Sequence, residues 1–181
     1  ACGLYYSKDN LPEKYNELYT RMGNLNSMLG WAHARAIENL LTKVNCSKVI
    51  TDQFADKHVV KTALLKKGRN VDLEQRHKAE SDLVVAAASI VARGEFLRRL
   101  RRLGVELNFR PLKGASERVR DLAWKMYKEK GEDFLKKAVK YHFKTTEQIK
   151  DPNYTPAPPK PEDIERDEEE FDEMVDESAD E

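Results

Sequence analysis

Two acids stand where a chain can bring carboxylates together. Asp52 closes the run Val49-Ile50-Thr51, which suits a buried strand, and Gln53-Phe54-Ala55 follows it. Glu80 comes 28 residues later in His77-Lys78-Ala79-Glu80, just ahead of Ala86-Ala87-Ala88-Ser89-Ile90-Val91-Ala92-Arg93. One acid at a strand's carboxyl end and one at a helix start, converging on one place, can hold a hard divalent cation through oxygen ligands. Each also has a plain structural use. An Asp after a strand forms turns, and an acid in a first helical turn is stabilised by the helix dipole. Asp82 competes with Glu80 as a ligand and fits the role of a capping residue equally well.

The elements around these acids alternate strand and helix, which indicates an α/β layer architecture. Residues 1–6 read as a strand. Leu11-Pro12-Glu13 starts a helix that runs to about Tyr19 or Thr20, with Pro in its first turn. A polar loop covers 22–28, a helix 28–44, and Asn45-Cys46-Ser47 breaks it. A strand over 48–51 leads to Asp52. Asp56 caps a helix to about residue 65, Gly68-Arg69-Asn70 turns the chain, and 71–75 forms a second strand. The long helix follows over 81–103, with Leu83, Ala87, Ile90, Val91, Gly94, Leu97 and Leu100 on one stripe and Gly104 as its stop. A loop carries Arg110-Pro111-Leu112-Lys113-Gly114. Helices over 116–130 and 132–139 complete the series, the first with Val119, Leu122, Ala123 and Met126 inward. No internal repeat is visible.

The formal net charge is zero over 181 residues, but the signs are segregated. Residues 151–181 hold fourteen acids against two bases, a net of −12, which leaves 30 bases and 18 acids in residues 1–150, a net of +12. A basic body suits a polyanion, and the charge asymmetry marks an appended tail. Five prolines between Pro152 and Pro161 precede the acidic run, so 149–181 is expected to be a disordered tail beside a domain over 1–148. The tail has three uses open to it: contact with the basic body, contact with a basic protein, or solubility alone. Arg98, Arg99, Arg101 and Arg102 form a dense basic patch that would grip phosphates, dock the tail or simply face solvent.

Two cysteines, Cys2 and Cys46, make no disulfide framework, and their spacing fits no zinc motif. The longest apolar run is ten residues, too short for a bilayer, and no signal peptide is visible, so a cytoplasmic location is expected without membrane contact. His33, His58, His77 and His142 are scattered without metal spacing. Trp31 and Trp124 read as core. Residue 1 is Ala, inside the strand-like stretch, which a processed terminus and a fragment lacking its upstream half explain equally.

The block from Asp52 to Arg93 resembles type 2 ribonuclease H, and the HIII subclass more than HII. Ile50-Thr51-Asp52-Gln53-Phe54 matches the family's Ile-Asp-Gln-Phe context, with Thr51 beside the acid. Lys78-Ala79-Glu80 and Ala86–Arg93 match its Lys-Ala-Glu and following Ala-Ala-Ala-Ser-Ile-Ile-Ala-Arg, and Glu rather than Asp at position 80 points to HIII. Lys113-Gly114-Ala115 resembles the substrate-side loop, although Pro111-Leu112-Lys113 departs from the usual Leu-Pro-Lys order. The likeness covers about residues 1–148.

The resemblance implies a ribonuclease H-like mixed sheet flanked by helices, here without its first strands. It implies an endonuclease that hydrolyses the RNA strand of RNA–DNA hybrids using Mg2+ or Mn2+ held by four carboxylates. Asp52 and Glu80 would be two of the four, as catalytic and metal-binding residues. Lys78, Lys113 and Gly114 would contact substrate. The remaining Asp-Glu pair, in a Gly-rich first strand, has no counterpart here, because the Asp-Glu pairs of this sequence lie only in the acidic tail. A non-catalytic nucleic-acid-binding or interaction protein that keeps the fold is the alternative.

Overall fold

A computed structural model describes residues 11–158. The expected strand over 1–6 and most of the acidic tail lie outside the described residues. Within them the chain divides into two compact units, one of residues 18–96 and one of 11–17 together with 97–158.

In the first unit, Asn24 caps α2 (Leu25–Leu41) by accepting a bond from Ser27 N at 3.1 Å, which shrinks the expected loop to Gly23 and Asn24. Asp56 caps α3 (Lys57–Ala63), as expected, by accepting from His58 N at 2.8 Å. The two helices approach closely at Gly30. A Cβ there would lie 2.6 Å from Val59 Cγ1 and 2.8 Å from its carbonyl oxygen, so no larger residue fits without a shift. Ala34, Ile37, Val60 and Leu64 are buried together, with Val49, Phe54 and Leu73 packed against them. Glu38 is buried without a cation. It accepts instead from Gly68 N at 2.8 Å and Lys67 N at 3.3 Å, so two backbone donors satisfy its carboxylate.

The sheet of this unit pairs β1 (Lys48–Asp52) with β2 (Asp72–Arg76) in parallel, with Lys48 opposite Asp72 and Asp52 opposite Arg76. Parallel strands need a crossover, and α3 supplies it. Two strands make a small sheet, and among the described residues neither has a second neighbour.

Two helices run through residues of both units: α1 (Leu11–Met22) and α4 (Leu83–Leu107). Gly104 is a correction to the sequence reading. It lies buried within α4, and the left-handed residue that ends the helix is Asn108 at φ 50°, with Phe109 N bonding Gly104 O at 3.0 Å. Asn tolerates that conformation better than other non-glycine residues, so it serves as the helix stop.

The second unit is built on α5 (Glu117–Ala138), which Gly131 kinks at φ 83°, ψ 179°, in agreement with the expected break between two helices. A further helix, α6 (Lys144–Lys150), was not expected. Leu135 is fully buried with Ala123 and Ile149, under Trp124, Tyr127, Val139, Tyr141 and Tyr154. Polar groups around this core are paired. Asn16 donates to the carbonyls of Lys136 and Val139 at 2.8 and 2.9 Å and accepts from Tyr141 N at 2.9 Å. The Tyr141 hydroxyl donates to Glu132 at 2.6 Å and accepts from Lys150 at 2.9 Å. Among the described residues, no helix is long and apolar enough to cross a membrane.

Candidate metal centre

Asp52 ends β1 at the carboxyl edge of the parallel pair, and Gln53 N extends the pairing by one bond to Arg76 O at 3.1 Å. Beyond Arg76 the chain must turn back sharply. Lys78 makes the turn in the left-handed region at φ 54°, ψ 44°, a strained conformation for a residue with a Cβ. Ala79–Ser81 then winds as a single 3-10 turn. Ala79 is fully buried, and its N–H donates to Asp52 Oδ1 at 3.3 Å. That bond ties the end of β1 to the turn carrying Glu80, so two acids 28 positions apart become neighbours in space.

Glu80 and Asp82 have different fates. Asp82 Oδ2 pairs with Arg76 Nη2 at 3.0 Å, while Oδ1 accepts from Val84 N at 2.9 Å and Val85 N at 3.4 Å. Both oxygens are therefore committed to capping α4 and to the salt bridge. Glu80 is exposed and, among the described residues, makes no hydrogen bond or ion pair. Asp52 is also exposed, with only Oδ1 engaged. The unspent acceptors are thus Glu80 and one oxygen of Asp52. Arg76 holds the arrangement from β2, reaching Glu74 at 3.4 Å as well, while Lys48 pairs with Glu74 at 2.8 Å.

His33, read in the sequence as one of four scattered histidines, lies beside the site. It stacks on Phe54 with centroids 5.0 Å apart and planes 23° apart, two residues beyond Asp52. Burial lowers its pKa from 6.5 to about 4 against the pull of Asp52, so the imidazole is neutral at neutral pH. No sequence spacing connects His33 with Phe54, because the fold of α2 against β1 creates the contact. His77 and Lys78 are exposed. Lys113 and Gly114 belong to the other unit, in the loop before α5, where both are exposed and Gly114 takes φ 90°.

The arrangement offers two carboxylates on rigid elements, with hard oxygen donors of the kind Mg2+ and Mn2+ prefer. Among the described residues, no group of three or more His, Cys, Asp or Glu side chains gathers in a geometry able to hold a metal ion. Asp52 and Glu80 fit a divalent cation in the type of their donor atoms.

Comparison with known proteins extends this picture. The family model for ribonuclease HII matches residues 8–146. Ribonuclease HIII of Protochlamydia amoebophila (strain UWE25) is 44% identical over 146 residues, covering 81% of this chain and 48% of that protein. Ribonuclease HIII of Chlamydia muridarum (strain MoPn / Nigg) is 46% identical over 136 residues, covering 74% and 45%. The crystal structure of Bst-RNase HIII in complex with Mn2+ superposes with a TM-score of 0.68 at 28% identity, covering 76% of this chain and 47% of that one. This chain therefore has the α/β fold of those structures, and it spans about half the length of the curated relatives it matches. The chain belongs to the ribonuclease HII family, and within it to the HIII subclass.

Proposed function

We propose that this chain supplies the Asp52–Glu80 part of the catalytic centre of a ribonuclease HIII, an endonuclease that hydrolyses the RNA strand of RNA–DNA hybrids. The bond from Ala79 N to Asp52 Oδ1 carries the reading, because it ties the turn bearing Glu80, exposed and without a partner among the described residues, to Asp52 at the end of a parallel strand pair. Kinship with relatives named ribonuclease HIII supports the reaction class.

Asp52 and Glu80 would hold Mg2+ or Mn2+. Bound there with the remaining donors, a pair of such ions would activate the attacking water and stabilise the leaving oxygen. The residues of this chain set the geometry for that chemistry. Ala79 N fixes one Asp52 oxygen and leaves the other free. Arg76 and the start of α4 bind both oxygens of Asp82, which keeps that acid from competing for the cation. The neutral His33 ring packs on Phe54 and adds no positive charge next to the acids. Lys78, and the loop at Lys113 and Gly114, are the substrate-side groups, through their charge and exposed backbone N–H groups. Recognition of the RNA strand would rest on its 2′-hydroxyls.

The other two carboxylates come, in this reading, from polypeptide outside these 181 residues. The restriction to two acids among the described residues also keeps the second reading in play, a protein that binds hybrid without cutting it. A cleavage assay separates the two. The chain is co-expressed with the part of the Protochlamydia amoebophila ribonuclease HIII that it does not match, and a labelled RNA–DNA hybrid is added with Mg2+ or Mn2+. Metal-dependent cutting that Glu80→Ala lowers by about a hundredfold or more is expected. Binding without cutting by the soluble pair would establish the second reading.

A further inference from the structure

The strongest charge contrast of the chain sets its last twenty residues against the end of α4. Of residues 162–181, thirteen are acids and one, Arg166, is a base, a net of −12. On α4, Arg98, Arg101 and Arg102 are exposed. Spaced i, i+3 and i+4, their guanidiniums share one face of the helix. Arg99 adjoins them, and the nearest acids on α4 are Glu95 and Glu106, so residues 95–106 carry four bases against two acids. Guanidinium binds carboxylate through paired N–H donors and keeps its charge at every working pH.

The end of the described chain is tied down within reach of this face. Tyr154 donates its hydroxyl to Asp121 at 2.6 Å and packs on the core of Ala123, Leu135 and Ile149. Farther along α5, Lys130 donates to Leu107 O at 3.3 Å, and Phe134 meets Phe109 edge-on at 6.3 Å, so α5 leads to the end of α4. From Asp121 along α5 to Lys130, across to Leu107 and back to Arg102 is a path of about 30 Å. The run Asp167–Glu173 begins 13 residues beyond Tyr154, a reach of up to about 45 Å.

We propose that the acidic segment 162–181 docks on the arginine face of α4 and competes there with polyanions. Charge complementarity selects the occupant, and tethering favours the chain's own face over any basic partner. A segment held by a short link is present at about 1 mM. An intrinsic dissociation constant near ~0.1 mM, typical of non-specific electrostatic binding, then weakens a competing duplex about tenfold. The consequence for RNA–DNA hybrid rests on the proposed function; the docking does not.

The test uses the full chain with the segment neutralised by Asp167→Asn, Glu168→Gln, Glu169→Gln, Glu170→Gln, Asp172→Asn and Glu173→Gln, and circular dichroism checks that the variant folds. In about 50 mM salt, the NMR resonances of the backbone amides and arginine Nε–H groups of residues 97–103 should differ between wild type and variant. The difference should vanish in about 500 mM salt. Labelled RNA–DNA hybrid and labelled DNA duplex should each bind the variant about tenfold more tightly than the wild type in low salt. Adding Arg98→Gln/Arg101→Gln/Arg102→Gln to both chains should shrink that advantage below about twofold. Unchanged resonances at 97–103, equal duplex affinities, or an advantage that survives the arginine substitutions would each overturn the proposal. So would a resonance difference that grows with protein concentration, which would seat the segment on a second copy. Resonances and DNA duplex responding as expected, with hybrid left uncut in the co-expression assay, would support the docking and contradict the catalytic reading alone.

Discussion

The two units finish their apolar surfaces differently. In the second, Leu135 and Ile149 are at most 2% exposed, five large side chains close over them, and the polar groups of Asn16, Glu132, Tyr141 and Lys150 bond one another or nearby backbone. In the first, the core between α2 and α3 is closed as well, yet the start of α4 leaves Leu83, Val84, Ile90 and Val91 to solvent, beside a two-stranded sheet. The first unit also holds Glu80 and Asp52, whose carboxylates keep free oxygens among the described residues. The exposed apolar residues begin at Leu83, three positions after Glu80.

Core truncation gives the largest contrast. Leu135→Ala should cost about 2–5 kcal/mol, because the side chain is fully buried among rigid neighbours, whereas Ile90→Ala should stay within about 0.5 kcal/mol in the isolated chain. Urea midpoints measure both. Comparable losses would mean that α4 is already covered and the contrast is false.

Gly30→Ala probes the part of the first unit that is closed. Its new methyl would meet Val59 at 2.6 Å and the Val59 carbonyl at 2.8 Å, so a loss of roughly 1–3 kcal/mol is expected by thermal or chemical denaturation. A neutral outcome would show that α2 and α3 slide apart easily.

Acid should separate the units by pH window. His33 titrates at about 4 when folded and 6.5 when unfolded, so the unfolded state binds more protons between those values. Stability is therefore full above pH 6.5 and falls as pH drops towards 4, by about 2 kcal/mol once partial exposure is discounted. In the second unit, the Tyr141 hydroxyl and then Lys136 hold Glu132 down to about 2 from 4.5. Its contribution stays intact above the unfolded value and is lost only as pH falls towards 2. Denaturation of wild type and His33→Gln at pH 7 and 4.5 checks the first window, and an unchanged pH slope in the variant would contradict it.

The smallest effects distinguish the two neighbouring acids. Asp82→Ala should cost about 0.5–2 kcal/mol through the lost cap of α4 and the broken Arg76 pair. Glu80→Gln should be nearly neutral for stability, within about 0.5 kcal/mol, because Glu80 has no partner to lose among the described residues. Reversed values would mean that the two acids have been assigned the wrong roles.

Much of this was legible in the sequence. The β-branched run before Asp52, the Asp56 cap and the break at Gly131 each carry a local physical signal, and each stands in the structure. The choice between Glu80 and Asp82 was not legible, since both lie at the start of one helix. Arg76 decides it, through a contact that depends on where β2 ends. Periodicity showed α4 to be amphipathic but could not say whether anything covers its apolar side. Helix α6 was missed because Lys144–Lys150 offers only Thr146 and Ile149 to the interior, too little for a visible period. Gly104 misled because glycine at a helix end is so often the stop, whereas here it packs inside the helix and Asn108 takes the left-handed turn.

The central claim is that Asp52 and Glu80 share one cation site, and Mn2+ titration of the isotopically labelled 181-residue chain followed by NMR tests it most directly. Paramagnetic broadening should centre on the amides of residues 52–54 and 78–81, and Asp52→Asn or Glu80→Gln should each abolish it there. Broadening confined to the acidic segment beyond residue 160, with the end of β1 untouched by the metal, would contradict the account.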